Sequence, residues 1–309
     1  MMHGMDILEL VKAALALFAI AQKLTYNGKL YWIRPVSPYV APFGPYANYN
    51  HFAGAMELLL PLPFAWWLLA RAEIGKRLLA FWAAVTMIVA LVYSLSRGGL
   101  LALAVQLAAL FWFIWRERAQ APQRMKSSNT PILVGVALVV SLVLVLGLAY
   151  DQLAARFQLL QQGAQEYSLV TRRVYWADGW RMFIAHPLTG VGLGAFPTAY
   201  PQVGRSSAQL ERLETTHNDY LQLLTDAGMV GAALLLWFLY ELARQLRRAR
   251  QHWPSLRSHD RAACLGGWLA MLGLAVHSAL DFNLQITANA FLCLCLLALA
   301  VSTKVKSEK

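Results

Sequence analysis

The chain reads as a row of apolar runs separated by connections in which arginine and lysine gather on alternate turns. No other feature restricts the fold so tightly. A hydrocarbon core takes about 20 apolar residues of helix per crossing. Only helices and closed barrels can cross it, because every backbone N–H and C=O has to be satisfied within the protein. Segments 6–23, 52–70, 78–96, 98–115, 131–150, 219–243, 262–281 and 284–303 meet the length. Only 14% of residues are charged, against roughly 25% in soluble domains. The expected fold is all-α: a polytopic membrane protein of about eight transmembrane helices, with 1–309 as a single integral membrane domain. A large, partly helical loop at 151–218 belongs to it. Glu9 and Lys12 make the first span one of the least uniform.

The basic residues orient these spans. Arg71, Lys76 and Arg77, then Arg116, Arg118, Arg124 and Lys126, fall on two connections of one set. The arginines from Arg244 to Arg261, and Lys304, Lys306 and Lys309, continue that set. The short connections of the other set carry only Lys23, Lys29, Arg34 and Arg97. Short loops rich in Lys and Arg stay in the cytoplasm, and long loops count little. Both termini are therefore expected in the cytoplasm, with 24–51, Arg97 and 151–218 on the outer face. The same placement accounts for the formal charge of +11. No nucleic-acid motif accompanies that charge, so nucleic acid is not an expected partner.

Cys264, Cys293 and Cys295 all fall inside apolar runs. An odd, lipid-embedded set gives no disulfide framework, and these side chains read as core or lipid-facing. The first run lacks a basic leader and a cleavage site, so it reads as a membrane helix rather than a signal peptide.

The loop at 151–218 is too long to be a mere connection. Between Ser168 and His186 it reads as a helix ended by Pro187. Arg172, Trp176, Gly179 and Phe183 share one face, and Arg173, Trp180 and Ile184 the next. Such a helix suits the membrane interface, with tryptophans at headgroup level. The glycines of "GVGLGAF", Gly190, Gly192 and Gly194, lack the flanking strand and helix of a dinucleotide fingerprint. They read as a flexible turn.

Arg97 stands between two spans where the turn is almost absent. It either serves a site, as intramembrane charges generally do, or snorkels to the headgroups. In "THNDYLQLLTDAGMVG", helical spacing puts His217, Tyr220, Leu221, Leu224, Gly228 and Gly231 on one face. Asp219 and Asp226 lie opposite. The glycines would let another helix pack closely there. His217 is then either a capping histidine at the water boundary or part of a site. His277 and Asp281, four apart, share a face and either pair structurally or help to line a site. Asn50 and His51 open the second span, where Asn50 suits a helix cap. Metal-diphosphate, zinc-protease, Walker and serine or cysteine nucleophile motifs are missing. Chemistry without a metal, cofactor or covalent intermediate is expected.

Five stretches carry a resemblance: "NYNHFAGAMELLLPL", "SLSRGGLLAL", "RRVYWADGWRMFIAHPLTGVGLGAFPTAY", "THNDYLQLLTDAGMVG" and "HSALDFNLQITAN". In order and spacing they resemble the O-antigen ligase and O-antigen polymerase superfamily, from about Tyr39 to Ala298. The resemblance implies a bacterial inner-membrane glycosyltransferase, metal-independent and inverting. It would take a glycan from a polyprenyl-diphosphate donor at the periplasmic face. The acceptor would be a hydroxyl of lipid A–core, a polysaccharide or a protein. By motif, Arg97 and one or both of Arg172 and Arg173 would hold the diphosphate, and His217 would act on the acceptor hydroxyl. His277, Asp281, Asn50 and His51 would support the site. Members of the family usually carry more spans than the eight counted here, so a chain shortened at its N-terminus is expected. A polysaccharide polymerase shares this chemistry. A transporter or an inactive scaffold is the reading from another class; polar groups gathered at one face, with spans nearly free of central charge, disfavour transport.

Overall fold

The computed structural model describes residues 2–37, 41–120, 166–203 and 213–301. The expected span at 131–150 and the loop segments 151–165 and 204–212 lie outside the described residues. Helices dominate: α1 (Met2–Leu24), α2 (Tyr49–Leu59), α3 (Pro61–Leu69), α4 (Ile74–Ser94), α5 (Arg97–Gln120), α6 (Glu166–Ala185), α7 (Phe196–Val203), α8 (Asp219–Gln251), α9 (Ser258–Ser278) and α10 (Thr287–Val301). A small antiparallel ribbon pairs β1 (Lys29–Leu30) with β2 (Arg34–Pro35). The all-α membrane architecture is therefore as expected. Among the described residues, Tyr49–Leu69, Ile74–Ser94, Arg97–Glu117 and Asp219–Gln251 are long and apolar enough to cross a bilayer, and Thr287–Val301 is a shorter apolar helix.

The chain divides into two compact units. The first holds Met1–Leu153, Ser255–Val276 and Phe291–Lys309. In it α1, α2 and α3 pack on α4, and α2 and α4 pack on α5. Pro61 stands at the start of α3, where a helix tolerates its missing N–H. The α2–α3 segment therefore runs on as one span. Leu58, Leu62, Ala270, Leu274, Cys293 and Leu296 form a buried cluster. Cys264 is also buried, and Cys295 is exposed. The charges that made the first span uneven are paired: Lys12 Nζ donates to Glu9 Oε1 at 2.8 Å, both side chains buried. Burying a charge is tolerable only when it is so matched.

The turn from α4 to α5 consists of Leu95, in the left-handed region at φ 57°, and Ser96. The Ser96 hydroxyl accepts from Gly99 N–H at 3.2 Å, which caps α5. Arg97 is thus the first residue of α5, and it is exposed. Asn48, not Asn50, caps α2: its side chain accepts from Asn50 N–H at 2.8 Å. The expected assignment to Asn50 was two residues too far along. His51 lies one turn inside, buried.

The second unit holds Ala154–Pro254 and His277–Ala290. Here α6 packs on α7 and α8. Met182, Phe196, Tyr200 and Leu213 form its apolar centre. Beside them the buried Asp178 pairs with Arg181 and accepts from the Tyr200 hydroxyl at 2.9 Å. The helix expected between Ser168 and His186 is α6. Its last turn closes with His186 N–H bonded to Met182 O and Phe183 O, each at 3.1 Å. Pro187, without an N–H, then ends it.

Candidate functional site

The head of α8 is set by Asn218. Its side-chain oxygen accepts from the N–H groups of Tyr220 and Leu221, at 3.0 and 3.1 Å. Asparagine is among the best residues for this, since extended backbone at the cap frees its oxygen to reach the first turn. His217 therefore precedes the helix and does not share its face, contrary to the spacing argument. Nor does it cap. It stands in the left-handed region at φ 54°, where histidine is enriched among non-glycine residues. Such a conformation costs about 1–3 kcal/mol and has to be held by its surroundings. Thr216 supplies part of that hold. Its N–H donates to Gln222 Oε1 at 2.8 Å, and its hydroxyl to Asn218 O at 2.9 Å.

Turned out of the helix, the His217 ring meets three groups. Tyr175 of α6 stacks on it at 5.9 Å between centroids, with 20° between planes. Phe282 presents an edge at 4.8 Å and 80°. Nδ1 lies 3.4 Å from Asp281 Oδ1, within ion-pair distance and long for a hydrogen bond. The carboxylate is buried, whereas the His217 side chain keeps 28% of its surface. Arg172 of α6 closes the cluster. Its Nη1 donates to Leu280 O at 2.7 Å, and its Nη2 lies 3.5 Å from Asp281 Oδ2.

Burial by itself would raise the Asp281 carboxyl. The nearby His217 imidazole, the Arg172 guanidinium and the Phe282 N–H outweigh it, so the group is held below the usual carboxylate range. A depressed carboxyl contributes stability that is present above its unfolded value and lost as pH falls through the folded one. Asp281→Asn is therefore expected to lower the melting temperature at neutral pH. The gap from the parent should close once the pH drops below the carboxylate range, as read by thermal unfolding in detergent at a series of pH values.

His277 and Asp281 meet where α9 ends. The two are joined through backbone, Asp281 N–H to His277 O at 3.0 Å. Because α9 ends at Ser278, the chain turns and delivers the carboxylate to Arg172 and His217. Asp219 holds that turn. Its Oδ2 accepts from the Ser278 hydroxyl at 2.8 Å and from Leu284 N–H at 3.0 Å. Asp226, one helical repeat on, is buried and accepts from Gln222 Nε2 at 3.0 Å. Both aspartates serve the framework.

Arg173, Trp180 and Ile184 are exposed along α6, as its periodicity indicates. On the other face Gly179 sits against Thr216 and Leu221. Tyr175 and Phe282 carried no signal in the sequence, because an aromatic at helical spacing looks like any packing residue. The Arg172–Asp281 pair spans 109 positions, and nothing local announces it.

The glycine run is an ordered element, not a flexible turn. α8 is broken at Gly228, whose backbone (φ 60°, ψ −154°) is open only to glycine. The break frees carbonyls and N–H groups, and the loop after α6 takes them. Val191 N–H donates to Thr225 O at 2.8 Å and Gly192 N–H to Asp226 O at 2.9 Å. In return Met229 N–H donates to Pro187 O at 2.8 Å and Val230 N–H to Leu188 O at 3.1 Å. Gly190, Gly192 and Gly194 all have positive φ, which lets the loop follow the broken helix. The close neighbour of Gly228 is thus loop backbone rather than the second helix that its spacing suggested.

Chemically, the cluster presents an imidazole with one nitrogen facing a buried anion. A proton on Nδ1 leaves Nε2 free to accept another. A carboxylate in that position fixes the ring and favours the imidazolium as it forms. The neighbouring guanidinium supplies planar donors of the kind that fit phosphate oxygens.

The model of the O-antigen ligase family matches residues 82–236, half of the chain. The chain belongs to the O-antigen ligase family. No curated protein matches it. The matched stretch of this O-antigen ligase family member includes Arg97, Arg172, Arg173, His217 and the break at Gly228; Asp281 lies beyond its end. Membership makes the protein a membrane glycosyltransferase of the O-antigen ligase and polymerase type, with lipid-linked glycans and polysaccharides as its general substrate class.

Proposed function

We propose that the protein transfers a glycan from a polyprenyl-diphosphate donor to a hydroxyl acceptor at the periplasmic face of the bacterial inner membrane, as an O-antigen ligase does. The observation that carries this reading is the His217 ring, held outside its helix between Tyr175 and Phe282 with Asp281 behind Nδ1. Nε2 then takes the acceptor proton as the hydroxyl oxygen attacks the anomeric carbon. The bond from that carbon to the diphosphate oxygen breaks, and its electron pair leaves with the diphosphate. One displacement inverts the anomeric centre.

Negative charge grows on the leaving diphosphate, and cationic donors aimed at it lower the barrier. Arg172 stands in the same cluster as His217 and keeps N–H groups beyond those given to Leu280 and Asp281. It meets the leaving group, while the exposed Arg173 adds charge alongside, and Arg97 binds diphosphate as the family resemblance implies. Arg172→Ala is expected to lower transfer by about 100-fold, the scale of a lost transition-state donor. Arg173→Ala is expected to lower it by less than about tenfold, as an exposed charge does. Equal losses in an assay with purified lipid-linked donor would remove Arg172 from the special position.

With guanidinium groups in place of a cation, transfer is metal-independent. Incubation with a chelator should leave the rate unchanged, and a loss restored by a divalent ion would refute this part of the mechanism. The whole reading is tested by complementing a ligase-deficient strain and, separately, a polymerase-deficient strain, with glycolipid ladders read on gels. Ladder transfer to lipid A–core in the first strain is expected. Rescue of chain length only in the second makes the protein a polymerase, and rescue of neither overturns the proposal.

A further inference from the structure

The loop mated to the broken helix carries an apolar surface that the transfer chemistry does not use. Trp180 and Ile184 are exposed on α6 at a four-residue interval, and Leu188 follows at the same interval. Leu188 and Leu193 expose 69% and 82% of their surface, the latter the most exposed large apolar side chain among the described residues. In water such a stripe is unfavourable, because apolar surface is left uncovered.

Its depth is set by α8. The polar head of that helix, with Asp219, Gln222, Thr225 and Asp226, ends at Asp226. From Ala227 the helix is apolar through Tyr240, and Met229, Val230, Leu234 and Trp237 are exposed along it. In a membrane-crossing helix these exposed residues face lipid. Leu188 O bonds Val230 N–H and Pro187 O bonds Met229 N–H, so the loop sits beside the first turn of that lipid-facing surface. The stripe is therefore continuous with it.

Irregular backbone at membrane depth is tolerated only where its polar groups are satisfied. In this loop part of the backbone is satisfied in that way. Gly190, Val191 and Gly192 donate to His186 O, Thr225 O and Asp226 O, while Pro187 O and Leu188 O accept from the far side of the break. The large side chains left outward are Leu188 and Leu193, beside the small Thr189. Arg181 and His186 flank the stripe, residue types that suit the headgroup layer.

We propose that residues 187–193 form a membrane-inserted loop, with Leu188 and Leu193 in the acyl region of the adjacent leaflet and Trp180 and Ile184 at its interface. The bilayer lipid is the partner of this surface. The insertion is independent of the transfer reaction and holds whether or not His217 acts as described.

The test uses the full-length protein in lipid nanodiscs, with Cys264, Cys293 and Cys295 replaced by alanine. A nitroxide label is placed at Leu188→Cys, Leu193→Cys or, as a control, at the exposed Thr198→Cys of α7. Collision with molecular oxygen reports lipid, and collision with a neutral nickel chelate reports water. The oxygen-to-nickel ratio is expected to be several-fold higher at 188 and 193 than at 198. Ratios equal to that at 198 would place the loop in water and overturn the proposal. Protection from both reagents would show a protein contact, such as a second copy, and overturn it equally. Should the cysteine-free chain fail to assemble, a photo-crosslinking amino acid at 193 in the native background gives the same decision. Lipid adducts support insertion, and protein adducts without lipid refute it.

Discussion

His217→Ala should abolish glycan transfer while leaving the protein in the membrane at its normal level. A positioned general base contributes about 10²–10⁴-fold, which in a ladder assay is the difference between a full pattern and none. Stability should suffer little, because alanine removes a part-exposed ring and breaks no cap. Asn218, not His217, holds the head of α8. The variant leaves Asp281 with Arg172 and the Phe282 N–H, so the buried carboxylate keeps partners. The decisive comparison sets wild type and variant side by side for transfer and for melting in detergent. Transfer at the parental rate would remove His217 from the mechanism. Loss of transfer together with loss of folded protein would show a structural residue instead.

Gly228→Ala and Gly190→Ala are expected to have the largest effects on the fold. At Gly228 the conformation is closed to residues with a Cβ, and the new methyl would meet the carbonyl of Leu188. At Gly190, with φ 67°, it would meet the backbone of Thr225, Asp226 and Ala227. Backbone cannot step aside as a flexible side chain can. Strain in such regions costs about 1–3 kcal/mol before any clash, and overpacking adds about 1–3 kcal/mol more. Each variant should therefore lose a large share of the roughly 5–15 kcal/mol that holds an ordinary domain together. Reduced membrane level and a melting temperature many degrees lower are the expected readouts. Gly192→Ala makes the control. Its Cβ would meet only the Ala195 methyl, at 3.6 Å, so it bears the φ strain alone and should be the mildest of the three. Equal tolerance of all three would mean that the loop does not seat in the break.

The helical spans were legible because hydrocarbon leaves the backbone no other solution, and because α6 repeats its apolar face every three to four residues. Pro187 announced the end of that helix. The first span was harder, since Glu9 and Lys12 look like a fault until their pairing is seen. Helical spacing failed at His217 for a definite reason. Periodicity assumes that the helix has already begun, and the Asn218 cap starts it one residue later, turning the imidazole the other way.

By itself the sequence determined the class of protein: all-α, membrane-embedded, with Arg172 and His217 inside the stretch that matches the O-antigen ligase family. These follow from local properties, namely length, hydropathy and residue order. The tertiary structure decided what those residues are to one another. It brought Asp281 behind His217 by ending α9 at Ser278, and it turned Gly228 from a packing site into a break filled by loop backbone. Such outcomes depend on which distant groups satisfy a carboxylate or an opened helix, and no window of sequence holds both partners.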